Sequence, residues 1–201
     1  MRGIALGAVT TGWSTSVLPR LALPDRRNVV ANLAFGIGVT VLARMFGIRP
    51  AGLRRSSWRS GLAWGAAAGA VPVVGAVVIA AQPSWLERVR PSDSDLAEWI
   101  LFRIPFGTVA CEELVFRSVF DAVSPALSPM FFGLWHIHPA RTAGDSVVGT
   151  VIFTAAAGVM FSWLRRRSGS VLAPALMHLS VNVSGAVLAG TRLRRWRRAN
   201  S

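Results

Sequence analysis

The 201-residue chain has no lysine and no tyrosine, a single cysteine, and only nine acidic residues. One cysteine cannot pair within the chain, which excludes a disulfide-stapled scaffold. Without lysine, all 22 basic residues are arginine, and the net charge is +13. Charged residues amount to 15%, against about 25% in an average soluble domain. The hydrophobic share is 52%. This balance excludes a disordered chain and speaks against an ordinary soluble enzyme. A basic balance fits either nucleic acid or an anionic membrane surface. The arginines decide between the two. They stand in short clusters between apolar blocks, as loops flanking membrane spans do, and are not spread over a polar face. Membrane lipids are therefore expected partners and nucleic acid is not. Exclusive use of arginine also points to a GC-rich genome, hence to a bacterial cytoplasmic membrane.

What is present is a set of long apolar runs. Residues 60–82 and 146–164 carry no charge, residues 170–190 carry only His178, and residues 28–48 carry only Arg44. About 20 apolar residues at about 1.5 Å each cross a hydrocarbon core of about 30 Å, so these four read as transmembrane helices. Residues 98–120 are apolar but contain Arg103, Glu112, Glu113 and Arg117. Residues 129–140 are short and aromatic, opening on Ser128-Pro129 as a capping residue and first-turn proline. Residues 3–18 are a further membrane-associated segment. The expectation is an all-α, multi-pass transmembrane bundle of about 6–7 membrane segments. Alternation of the spans puts the arginines of the 49–59 loop and Arg165–Arg167 on one side, and the tail from Arg192 to Arg198 on the other. Gly61, Gly65 and Gly69 recur on one helix face and would let a second helix of the same chain approach closely.

An ionisable residue inside a span costs at least about 2.5 kcal/mol on insertion scales and usually faces the bundle interior. Three clusters of this kind occur. In Cys111-Glu112-Glu113-Leu114-Val115-Phe116-Arg117, Glu113 and Arg117 are four apart and expected to pair. Glu112, about 100° around the helix, is then the free carboxylate, although a solvated helix end would read the same way. In the second cluster, Phe132 and His136 share a face, while His138 beside Pro139 reads as structural. In the third, His178 and Asn182 share a face; they are two donors aimed at one point or, alternatively, interhelical hydrogen-bonding groups. Brought together in a wet pocket, Glu112, His136, His178 and Asn182 are equipment for hydrolysing an amide. Glu112 with His136 could activate water, and His178 with Asn182 could hold the oxyanion. Two histidines and Glu112 could instead bind one zinc ion. The His-Glu-x-x-His and Gly-x-Ser-x-Gly signatures of other hydrolases are absent.

The ordered set Glu112-Glu113-x-x-x-Arg117, Phe132-x-x-x-His136 and His178-x-x-x-Asn182 resembles the three motifs of the CPBP intramembrane proteases. These cover CAAX prenyl endopeptidases and bacteriocin-processing or self-immunity proteins, also called the Abi family. The resemblance spans residues 95–190; residues 1–90 supply membrane helices without a diagnostic motif, and residues 191–201 form a basic tail. It implies an integral membrane endopeptidase that cuts near the C-terminus of a membrane-associated protein or peptide. It also implies Glu112 and His136 as water activators, His178 and Asn182 as oxyanion stabilisers, and Glu113, Arg117 and Phe132 as supporting residues. The family is described both as metalloprotease and as using a metal-free glutamate, so zinc on Glu112, His136 and His178, or no cofactor, follows equally. Two competing readings are a non-catalytic immunity or scaffold protein of the same family, and a small proton-coupled transporter.

Overall fold

A computed structural model describes residues 1–200, and among them there are helices and no strand. Helix α1 covers residues 2–20, with a wider π-helical turn at Trp13–Val17. It is followed by α2 (Asp25–Met45) and α3 (Trp58–Ala81). Helix α4 covers residues 96–123 and is π-helical over Trp99–Ala110 and Glu113–Phe120. The chain continues through α5 (Ser128–Trp135), α6 (Ile137–Ala143), α7 (Val147–Ser168) and α8 (Leu172–Ala199).

Four of these are long and apolar enough to cross a membrane: α2, α3 with its preceding turn, α7 and α8. Their apolar side chains face outward. In the most apolar stretch of α3 only 11% of residues are buried inside the protein, and Val71, Val74 and Val77 are exposed. Val148 and Phe153 do the same on α7. A continuous apolar surface of this extent needs hydrocarbon as its solvent, which makes the chain an integral membrane protein.

The buried face of α3 is its glycine stripe, Gly61, Gly65 and Gly69. A Cβ at Gly65 would stand 2.8 Å from Leu176 Cδ1, and one at Gly69 would stand 2.7 Å from Ser180 Oγ. The stripe therefore seats α8 of the same chain, as the spacing predicts. The core lies between α4, α5, α7 and α8, where Phe116, Phe120, Phe132, Trp135, Phe161 and Leu164 are buried.

The two ends of the bundle are fixed by loop contacts. At one end Ala51 N–H donates to the Ser118 carbonyl (2.8 Å) and Val171 N–H to that of Gly52 (3.0 Å). At the other, Arg195 donates to the Ala80 carbonyl at 3.2 Å, and Asp25 pairs with Arg103 at 2.9 Å. The 49–59 loop and Arg165–Arg167 thus share one end, and the arginine tail lies at the opposite one. One local expectation fails. Ser128 does not cap its own helix; its hydroxyl is buried and donates to the Phe116 carbonyl at 3.3 Å, tying α5 to α4.

Candidate active site

Helix α4 brings two adjacent carboxylates into the protein interior, with Glu112 at 4% and Glu113 at 3% exposure. Both reach the same imidazole. His178 on α8 is itself buried, its Nδ1 lying 3.0 Å from Glu113 Oε1 and its Nε2 3.7 Å from Glu112 Oε2. His136 sits at the break between α5 and α6, with φ −89° and ψ 4°, in the sparsely populated bridge region. The break turns its ring inward, so that Nε2 stands 3.8 Å from the same Glu112 Oε2.

Tautomers follow from the partners. A carbonyl oxygen only accepts, so His136 Nδ1, 2.8 Å from the Phe132 carbonyl, carries a proton and leaves Nε2 with a lone pair when the ring is neutral. The carboxylate of Glu113 likewise accepts a hydrogen bond from His178 Nδ1–H. The other oxygen of Glu112, Oε1, accepts from the Trp135 indole at 3.0 Å. Its Oε2 is buried and has no hydrogen-bond partner. One carboxylate oxygen and two imidazole nitrogens therefore converge; Glu112 Oε2 and, in the neutral ring, His136 Nε2 offer lone pairs to a proton donor, and His178 Nε2 faces the same point.

The rings are held by aromatic packing. Phe132 lies edge-on to His136, with centroids 4.9 Å apart, and Phe161 stacks on His178 at 5.0 Å. The Arg117 guanidinium lies 4.7 Å from the Phe132 ring centroid, a cation–π contact in a fully desolvated place.

Sequence spacing assigned Glu113 to Arg117, and the structure corrects this. Among the described residues, the ion-pair contact of Glu113 is with His178. Arg117 instead donates to the Gly158 carbonyl (2.8 Å) and Ser162 Oγ (2.5 Å), and lies 3.8 Å from Asp121 Oδ1. The Ser162 hydroxyl in turn donates to Asp121 Oδ1 at 2.9 Å, and Arg165 approaches the other Asp121 oxygen at 3.3 Å. The physical reason is competition. The imidazole between the two glutamates needs an acceptor for Nδ1, and Asp121, one turn beyond Arg117, is already bound into α7. Asn182 lies one turn beyond His178, half-buried, its amide nitrogen donating to the His178 carbonyl at 3.0 Å; it makes no direct bond to Glu112.

Glu112, Glu113, His136, His178, Phe132 and Arg117 thus gather in one place, and the two residues that spacing did not single out are Trp135 and Asp121. Both had a signal: Asp121 is an acid four residues after a buried arginine, and a buried indole N–H needs an acceptor. His138, read as structural, lines with Glu112 and Trp135 a cavity of about 360 Å³.

Residues 95–184 match the family model described as Type II CAAX prenyl endopeptidase Rce1-like. No curated protein and no solved structure matches the chain.

Proposed function

We propose, from the match of residues 95–184 to the Rce1-like model of type II CAAX prenyl endopeptidases, that this chain hydrolyses a peptide bond near the C-terminus of a membrane-associated protein or peptide. The observation that carries this reading is Glu112 Oε2, buried without a protein partner and 3.8 and 3.7 Å from the Nε2 atoms of His136 and His178. Carboxylate and imidazole acceptors around one point suit a water molecule that donates to them.

In this mechanism the water oxygen attacks the scissile carbonyl carbon while its proton passes to Glu112, assisted by His136. The carbonyl oxygen becomes an oxyanion. His178, with Nδ1–H bound to Glu113, turns Nε2 to the reacting centre and in its imidazolium form donates there; Asn182 supplies an amide donor one turn away. Glu112 then returns its proton to the leaving nitrogen as the C–N bond breaks, giving a carboxylate and an amine. Trp135 holds Oε1 so that Oε2 keeps its aim.

Two histidines and a glutamate are chemically a zinc donor set. Their placement does not close into a cage. The separations of 3.8 and 3.7 Å from Oε2 to the two Nε2 atoms exceed the roughly 3.4 Å between ligands of a tetrahedral zinc with bonds of about 2.0–2.1 Å. No group of three or more His, Cys, Asp or Glu side chains among the described residues is arranged to hold a metal ion. The mechanism therefore routes no step through a metal.

We read α1 and α4 as lying in the bilayer with the four long spans, which gives six membrane segments around a polar interior. The partners are membrane lipids and the peptide substrate. The test is cleavage of an internally quenched peptide carrying an S-prenylated cysteine three residues before its C-terminus. Glu112→Ala and His136→Ala should each abolish cleavage while the protein still inserts; undiminished cleavage by both overturns the reading.

A further inference from the structure

Beside the two histidines, the cavity walled by Glu112 and Trp135 extends toward the bundle end that carries the arginine tail. Its far side is built from α1 and α2, outside the segment that matches the family model. Here the lining turns polar, with Asn28 and Asn32 on α2 facing Thr108 on α4. A second hollow of about 200 Å³ shares these three residues and is edged by the Asp25–Arg103 ion pair. The two hollows adjoin at these shared residues and lie in line between the Asp25–Arg103 pair and Glu112.

The polar groups along this line are unspent. The Asn28 carboxamide and the Thr108 hydroxyl have no hydrogen-bond partner among the described residues. Asn32 spends only its oxygen, accepting from the Trp13 indole at 2.9 Å. That contact fixes the amide and leaves its two N–H donors for another molecule. Trp13 is in turn stacked on Phe35, with centroids 4.5 Å apart, so Asn32 is mounted on a rigid aromatic support. Asn28 and Asn32 are one helical turn apart, about 6 Å along the axis. An extended peptide presents its main-chain N–H and C=O groups to one side every two residues, about 6.6–6.8 Å. The spacings match to within the reach of a side chain.

We propose that Asn28, Asn32 and Thr108 form a docking rail for the main chain of the substrate, which binds as an extended segment along α2 and is fed to Glu112 from the arginine-tail end of the bundle. The inference rests on the protease reading above and adds to it the substrate's conformation and direction of approach. Main-chain recognition makes the rail tolerant of side-chain sequence, and it demands an unfolded end of the substrate.

The experiment uses the full-length protein in proteoliposomes and the same quenched prenyl-cysteine peptide. Asn28→Leu and Thr108→Val remove hydrogen-bonding groups that nothing else in the protein uses. Each is expected to raise KM about five- to tenfold with kcat within twofold, the pattern of lost binding common to ground and transition states. Binding is read separately in a Glu112→Gln background. A thiol introduced by Asn28→Cys, in a chain whose own Cys111 is buried, should be protected from maleimide by the peptide. A thiol introduced by Arg59→Cys at the opposite end should not be. Protection at position 28 without any cleavage by the wild type supports the rail and sinks the protease reading. Cleavage with unchanged KM in both variants and no protection at position 28 overturns the rail and leaves the protease reading standing. Neither cleavage nor protection overturns both.

Discussion

His178 Nδ1 lies 3.0 Å from Glu113 Oε1, joining residues 65 positions apart in sequence. The bond fixes which imidazole nitrogen faces the reacting centre. Removing it should act on the chemical step rather than on substrate capture. Glu113→Ala is expected to lower kcat about 10- to 100-fold with KM within a factor of about three. Glu113→Gln, which still accepts from Nδ1 but carries no charge, should recover part of the loss. Steady-state kinetics of the three proteins check this. A purely structural role for Glu113 would show instead as lower yield with unchanged kcat per folded molecule.

Stability should depend more on Asp121. Arg117 is fully buried, and Asp121 is the acid within ion-pair distance of it at 3.8 Å, joined through Ser162. Asp121→Ala removes the carboxylate within ion-pair distance of a buried guanidinium and the acceptor of the Ser162 hydroxyl, a loss approaching the roughly 3–5 kcal/mol of a broken buried pair. Thermal unfolding in detergent should show a much larger drop for Asp121→Ala than for Glu113→Ala. The reverse order would restore the Glu113–Arg117 pairing that sequence spacing favours.

Trp135 separates packing from orientation. Its indole N–H donates to Glu112 Oε1 at 3.0 Å, while its ring packs edge-on against Phe116 with centroids 5.6 Å apart. Trp135→Phe keeps most of the ring and deletes the donor. The expected result is a roughly tenfold lower kcat and a stability loss of about 1–3 kcal/mol from the unsatisfied carboxylate oxygen. Since Glu112 stays in place, its reactivity toward a hydrophobic carbodiimide should persist, and loss of that labelling would show that Trp135 acts by keeping the helices apart.

The membrane helices were legible because uncharged runs set the spans, and a spacing of four sets the shared faces of Phe132 with His136 and of His178 with Asn182. That these faces meet Glu112 is a long-range contact, expected from the ordered motifs and their resemblance rather than from any local pattern. The partners of Glu113 and Arg117 were not legible, because spacing on one helix says which groups could meet and nothing about competitors on other helices. His178 on α8 and Ser162 on α7 are such competitors, brought in by helix packing. The π-helical widening of α4 and the break at His136 have no simple periodic signature either, although Pro105 within α4 disfavours a regular ladder there. The cavity behind Glu112 was hidden for the same reason, since its walls come from five separate helices.

The glycine stripe gives a control pair within one helix. At Gly65 a Cβ would stand 2.8 and 2.9 Å from Leu176 Cδ1 and Cβ, and 3.1 Å from the backbone Cα of Ala173. Leucine side-chain ends can shift, but the Ala173 backbone cannot do so without moving α8. Gly65→Ala should therefore cost about 1–3 kcal/mol by overpacking. Because α8 carries His178, it should also lower cleavage in the molecules that remain folded. Gly75 lies on the same helix with nothing within 4 Å of its would-be Cβ. Gly75→Ala should keep full activity and gain about 0.5–1 kcal/mol from the lower flexibility of alanine. Thermal unfolding and peptide cleavage on the two variants measure both effects. Equal behaviour at the two positions would mean that α3 and α8 do not depend on close backbone approach, and that His178 is positioned by α4 and α7 alone.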